Sequence, residues 1–148
     1  RSDEPFIRGL RSRLAAAGVL EDVTFWADFS PEARHGFLSG LTVLSVPEKT
    51  PVAYGLYVLE ALACGVPVVQ PAIGVFPEIL GQTGGGILVR DNTAEALAAA
   101  LEPLLQDPEA AHRLGLQGRE GVARHYDVTQ TAERMIALTQ ELCNRRRP

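Results

Sequence analysis

Between Lys49 and Glu78 the sequence carries one charged side chain, Glu60. Its neighbours Leu56, Val58, Leu59, Leu62 and Ala63 make a helix that is apolar on nearly every side, the pattern of a buried helix. A carboxylate there needs partners, because leaving one bare in an apolar setting costs on the order of several kcal/mol. A pair of sugar hydroxyls can donate to both of its oxygens; solvent or a group within the domain would also serve. Gly55 opens the same helix directly after the loop 47–54. A glycine at that place lets backbone N–H groups approach an anion closely, and the helix dipole favours negative charge. Gly55 and Leu56 are therefore a candidate diphosphate cradle. Strand, loop, glycine and helix in that order are also ordinary packing geometry, so the residues alone leave both readings open.

The other reactive side chains do not assemble. His35, His112 and His125 have no nucleophile or carboxylate at a matching spacing and read as surface or capping residues. No serine lies in a Gly-x-Ser-x-Gly elbow. Gly84-Gly85-Gly86 leads into an apolar run and no Lys-Ser/Thr follows, so it reads as a turn and not a P-loop. Cys64 and Cys143 form no ligand spacing and read as reduced thiols of a cytoplasmic protein; no metal site is expected.

Placing Gly55 and Glu60 falls to an alternation of helices and short apolar runs. Ser2 or Asp3 caps a first helix with Pro5 in its first turn and an apolar stripe of Phe6, Ile7, Leu10 and Leu14, ended by Gly18. Residues 23–26, β-branched and aromatic, read as a strand, with Phe25 and Trp26 as core or sheet-edge residues. Ser30-Pro31 starts a helix to about Ser39. Residues 41–46 read as a strand, 55–64 as the Glu60 helix, Gly65 as its left-handed end and 66–69 as a strand. A short helix over 76–80, a strand over 87–89, an alanine-rich packing helix capped by Asp91 or Asn92, one from Asp107-Pro108 to about Arg124 and one capped by Asp127 to about Cys143 complete the chain. Strands apolar throughout, separated by helices, indicate an α/β fold with a doubly wound parallel sheet covered on both faces. Only four strands are visible and the chain opens on a helix, so the first strands of such a sheet are expected to be missing.

Composition excludes several classes. The 148 residues are 46% hydrophobic and 22% charged, which describes a globular domain and not a disordered chain. A net charge of −4, from 18 acidic and 14 basic side chains, speaks against binding nucleic acid through phosphate neutralisation. The basic cluster Arg145-Arg146-Arg147 reads as a solvated tail. The longest uncharged run, residues 61–77, contains Pro67, Pro71 and Pro77 and cannot be a spanning helix. The polar start carries no apolar signal segment.

The stretch YGLYVLEALACGVPVVQP (Tyr54 to Pro71), followed by GVFPEIL and GGGILV, resembles the C-terminal domain of retaining glycosyltransferases of group 1, also called family 4, with GT-B architecture. The likeness runs in order from the first helix through VTFWADFS to the closing helix. It implies the Rossmann-like half of a GT-B enzyme, residues 1–148 forming part of a donor domain that binds a nucleotide diphosphate sugar. A separate N-terminal domain would bind the acceptor. It also implies that the backbone at Gly55 and Leu56 holds the diphosphate, that Glu60 binds the ribose hydroxyls, and that Phe29 and Ser30 border the base. The turn from Gly74 to Glu78 resembles the family's glycine-proline-glutamate turn, with Glu78 a helix-start carboxylate.

Two departures accompany the resemblance. The family's first glutamate of the paired motif falls on Val52, which cannot accept a hydrogen bond from the donor sugar. Either Glu48, nearby but out of register, replaces it through a different loop path, or the sugar contact is weaker or absent. The family's basic phosphate-binding loop has no counterpart in the 148 residues. The expected activity is sugar transfer from a nucleotide diphosphate by the intact protein, with this fragment inactive alone; the alternative is a catalytically silent binding or assembly module.

Overall fold

The computed structural model describes residues 3–28 and 30–145. They fall into two compact units, residues 1–33 and 34–148.

The first unit opens with α1 (Glu4–Ala16), which has Pro5 in its first turn and ends before Gly18, held at φ +73°. Asp3 occupies the N-cap position without a side-chain capping bond, and Ser2 lies outside the described residues. After a 3-10 turn at Leu20–Asp22 the backbone extends through Val23, yet residues 23–28 form no strand. A strand exists only where a neighbour pairs its N–H and C=O groups, and among the described residues none does so here. Trp26 is correspondingly 53% exposed and not core, while the Phe25 ring takes the Arg11 guanidinium 4.1 Å above its centroid.

Helix α2 (Pro31–Ser39) starts as Ser30-Pro31 predicts: the Ser30 hydroxyl accepts from the Ala33 N–H at 3.3 Å. The second unit continues with α3 (Leu56–Ala63), β1 (Val68–Pro71), α4 (Phe76–Thr83), β2 (Gly86–Val89), α5 (Ala94–Gln106), α6 (Pro108–His125) and α7 (Val128–Arg145). Asp107 caps α6 through the Ala110 N–H at 2.9 Å, and Asp127 caps α7 through Thr129 and Gln130. The cap of α5 is Thr93, bonded to the Ala96 N–H at 3.2 Å, in place of Asp91 or Asn92. Helix α7 runs two residues past the expected end, so Arg145 is helical and paired with Glu141; Arg146 and Arg147 lie outside the described residues.

Strands β1 and β2 are parallel, in register from Val68↔Gly86 to Pro71↔Val89, so β1 is shifted two residues beyond the expected 66–69. The run 41–46 contributes one parallel bridge, Leu44↔Val68, in place of a full strand. Beyond that bridge the contact is made by a side chain. Gln70, fully buried in β1, has its amide nitrogen 2.7 Å from the Val46 carbonyl and its oxygen 3.3 Å from the Val46 N–H, in the amide orientation that pairs donors with acceptors.

The sheet is covered on both faces, as its apolar strands require. Val68 and Leu88 point into a core with Val58, Leu62, Phe76 and Ile79 of α3 and α4. Val69, Ile87 and Val89 point the other way, onto Leu104 of α5 and Ala111 of α6. Helix α6 closes the N-terminal edge. Its buried Gly115, Gly118 and Gly121 lie against the backbone of Gly65, Gly85 and Thr83, which stand before or near the strand starts. No side chain fits between them, so small residues at every third position let the helix lie directly on two turns.

Candidate binding site

With α6 over the N-terminal edge, the C-terminal ends of the strands carry the loops 47–55 and 72–75 and the first turns of α3 and α4. Ligands of open parallel sheets bind at this edge. Gly55 is the N-cap of α3 at φ +58°, a left-handed conformation that disfavours any side chain. An added Cβ would also meet Val75, Ile79 and Phe76 at 3.1–3.3 Å. The glycine is thus required by packing on α4 before any ligand is considered. Its consequence is chemical: the Val58 N–H already donates to the Gly55 carbonyl at 2.9 Å, and with no side chain at the cap it is the N–H groups of Leu56 and Tyr57 that face an incoming anion. Leu56 beside it is 64% exposed, so the helix is not buried all round; Val58, Ala61 and Leu62 form its inner face.

Glu60 lies one turn after Leu56 on the same face. Its carboxylate is 38% exposed and sits 3.4 Å from the Arg34 guanidinium, itself half-exposed. The partner that the sequence demanded is therefore an intradomain cation, held in a single solvent-screened contact that contributes at most about 1 kcal/mol. One turn further, Cys64 Sγ lies 3.5 Å from His35 Nδ1; both cysteines are free thiols.

The loop before α3 is held at three points. Glu48 Oε1 accepts from the Tyr57 hydroxyl at 3.2 Å, and the Asn92 amide donates to the Glu48 carbonyl at 2.8 Å. Val52 packs its side chain on the core, its carbonyl accepts from the Val75 N–H at 3.1 Å, and its backbone leaves no room for a Cβ at Gly74. Val52 is therefore a structural contact, and Glu48 is the carboxylate bonded to the hydroxyl of Tyr57. Burial, then the Glu48 charge and hydrogen bond, push the Tyr57 phenol up to about 12. Glu78 is exposed in the first turn of α4, as expected of a helix-start carboxylate.

Gly55, Leu56, Glu60, Glu48 and Val52 all belong to the second unit: Gly55 and Val52 both meet Val75, Glu48 meets Tyr57 of α3, and Glu60 meets Arg34. Ser30 belongs to the first unit, where its hydroxyl is engaged as the α2 cap, and Phe29 lies outside the described residues. Sequence reasoning missed Tyr57, Asn92 and Gln70. The signal for Tyr57 is a hydroxyl in the first turn of an aliphatic helix; for Gln70 it is an amide inside an apolar strand. Asn92 stands where a helix cap is expected, which hides its long-range bond.

A parallel sheet with helices on both faces, and an uncapped, glycine-opened helix at its C-terminal edge, is the Rossmann-like half of a GT-B architecture. The chain belongs to the family described as glycosyl transferases group 1, whose model matches residues 8–121. It is 30% identical over 131 residues to a D-inositol 3-phosphate glycosyltransferase of Segniliparus rotundus, covering 87% of this chain and 28% of the relative. It is also 30% identical over 140 residues to a GDP-mannose-dependent alpha-(1-6)-phosphatidylinositol monomannoside mannosyltransferase of Mycolicibacterium smegmatis, covering 90% and 37%. Among solved structures, a sucrose-phosphate synthase of Thermosynechococcus elongatus superposes with a TM-score of 0.83 at 31% identity, over 97% of this chain and 36% of that one. An Anabaena protein solved in complex with UDP shares the fold alone, with a TM-score of 0.77 at 20% identity over 94% of this chain and 37% of that one. The chain spans about a third of the length of these proteins. Among the described residues no helix is long and apolar enough to cross a membrane.

Proposed function

We propose that this chain is the donor-binding part of a retaining glycosyltransferase, the intact protein moving a sugar from a nucleotide diphosphate to an acceptor held by a separate N-terminal domain. The observation that carries the reading is the open first turn of α3 at the C-terminal edge of the sheet, followed on the same helix by a half-exposed Glu60. The N–H groups after Gly55 take the diphosphate, and the helix dipole stabilises the charge that grows on it as the glycosidic bond breaks. Glu60, exchanging part of its contact with Arg34, takes the two ribose hydroxyls. Donor binding proceeds without a metal ion. The free thiols fit a cytoplasmic setting. Residues 1–148 alone bind donor without transferring sugar.

Calorimetric titration with UDP, GDP and ADP tests this. Binding of one nucleotide, weakened about tenfold or more in Glu60→Ala with Arg34→Ala near wild type, is the expected result. Equal binding by the Glu60→Ala variant removes the ribose from Glu60, and no binding by any nucleotide refutes the donor reading. A second reading, a catalytically silent module, is favoured by Val52, whose packing on the core leaves the family's first glutamate position without a polar group. Sugar transfer by the full-length protein, abolished by Glu60→Ala, decides against it.

A further inference from the structure

At the far end of α3 from Gly55 lies a contact that donor binding does not use. Cys64 is the C-cap residue of α3 and partly exposed, and its Sγ lies 3.5 Å from Nδ1 of the exposed His35 on α2. The two residues are 29 positions apart in the chain, so the fold and not local geometry makes the pair. One turn earlier on α3, Glu60 meets Arg34, the residue before His35. Two adjacent residues of α2 therefore meet two residues of α3 one turn apart, and this double contact holds the imidazole against the thiol. A nucleophile and a base within hydrogen-bond reach are the two parts of an activated thiol. Arg34 and Glu60 offset each other's charge. On α6, which packs Gly118 against Leu62 of α3, the ionisable groups from His112 to Glu120 are all exposed and screened by solvent.

We propose that Cys64 is a modification site, a thiol that His35 assists in exchange with small-molecule disulfides of the glutathione class. His35 Nδ1 takes the thiol proton as Cys64 Sγ attacks one sulfur of the disulfide. The S–S bond of the reagent breaks, and the departing thiolate recovers the proton from the imidazolium. Cys64 ends as a mixed disulfide while half of the reagent leaves as a thiol, so no further oxidant enters the balance. The helix end assists the step: its carbonyls carry partial negative charge, which stabilises the imidazolium formed beside them. Cys143, the other free thiol, is exposed on α7, and among the described residues no imidazole is bonded to it. Exposure alone therefore ranks Cys143 ahead of Cys64 in reactivity, and the imidazole reverses that order.

The test compares two single-thiol proteins, Cys143→Ser and Cys64→Ser, treated with dithionitrobenzoate at neutral pH while release of the coloured thiol is followed. The expected result is that Cys64 reacts about tenfold faster than Cys143. Adding His35→Ala to the Cys143→Ser protein should slow Cys64 to the rate of Cys143 or below, and free imidazole should restore part of the loss. A merely structural contact gives no such rescue. Oxidised glutathione should place its tripeptide on Cys64 of the wild-type chain, located by peptide mass. Faster reaction at Cys143 overturns the inference, as does a Cys64 rate that His35→Ala leaves unchanged in a protein that still unfolds cooperatively. The ranking of the two thiols needs no change at His35, so it decides even where that variant is destabilised. None of these outcomes depends on nucleotide binding, and the donor reading stands or falls separately.

Discussion

Replacing Gly115 by alanine sets two physical effects against each other. In an open helix the change stabilises by about 1 kcal/mol, because glycine gives up more backbone freedom on folding. At Gly115, however, the new methyl would collide with the Gly65 carbonyl oxygen, lie 2.7 Å from the Gly65 carbonyl carbon and stand 3.0 Å from Pro67 Cδ. None of these atoms is the far end of a flexible side chain. Gly65 is a left-handed turn at φ +77° and Pro67 leads directly into β1, so relief requires moving α6 away from the sheet edge. Overpacking of this kind costs about 3 kcal/mol, the upper part of its usual range. The net expectation is a loss of about 2 kcal/mol, or roughly 6 °C in Tm for a chain of this length. Gly81→Ala supplies the control. Gly81 is exposed in α4 with nothing within 4 Å of an added Cβ, so the same substitution there should stabilise by about 0.5–1 kcal/mol. Urea unfolding monitored by circular dichroism, with fixed slope, measures both. Wild-type or higher stability for Gly115→Ala would refute the direct contact of α6 with the turn at Gly65.

Two other outcomes follow from particular side chains. Gln70→Leu should cost about 1–2 kcal/mol, because it leaves the Val46 N–H without its partner, while the Val46 carbonyl keeps the Glu48 N–H at 2.8 Å; faster amide exchange at Val46 is the local readout. Tyr57 has a folded pKa raised from 10.0 to about 12, so its contribution to stability is fully present below pH 10 and fades as pH rises from 10 toward 12. Ultraviolet difference absorbance should therefore show a late-titrating phenolate that Tyr57→Phe removes and Glu48→Gln shifts to lower pH. An unchanged midpoint in Glu48→Gln would break the link between the two groups.

Local chemistry was enough to locate most helices. Pro31 after Ser30, Pro108 after Asp107, and Asp127 act within a few residues of themselves, and each starts its helix in the structure where its residue type dictates. The glycine at position 55 and the lone charge at 60 stood out as candidates for the same reason: a left-handed cap and an isolated carboxylate are visible without knowing the neighbours. Strands are different. Val23 to Trp26 and residues 41–46 have the composition of strands, but pairing is a property of two segments, and the described sheet offers one bridge to the second and none to the first.

The site divides along the same line. Sequence alone determined the types of group at the helix start, the period of the apolar faces and the absence of a glutamate at Val52. Tertiary structure decided which group meets which. It gave Glu60 the cation Arg34, turned Val52 into the core, tied Glu48 to Tyr57 and Asn92, and made Gly115, Gly118 and Gly121 a contact surface in place of three weak points in a helix. These partners lie from nine to more than forty residues apart in the chain, and only packing of the sheet brings them within hydrogen-bonding or van der Waals reach.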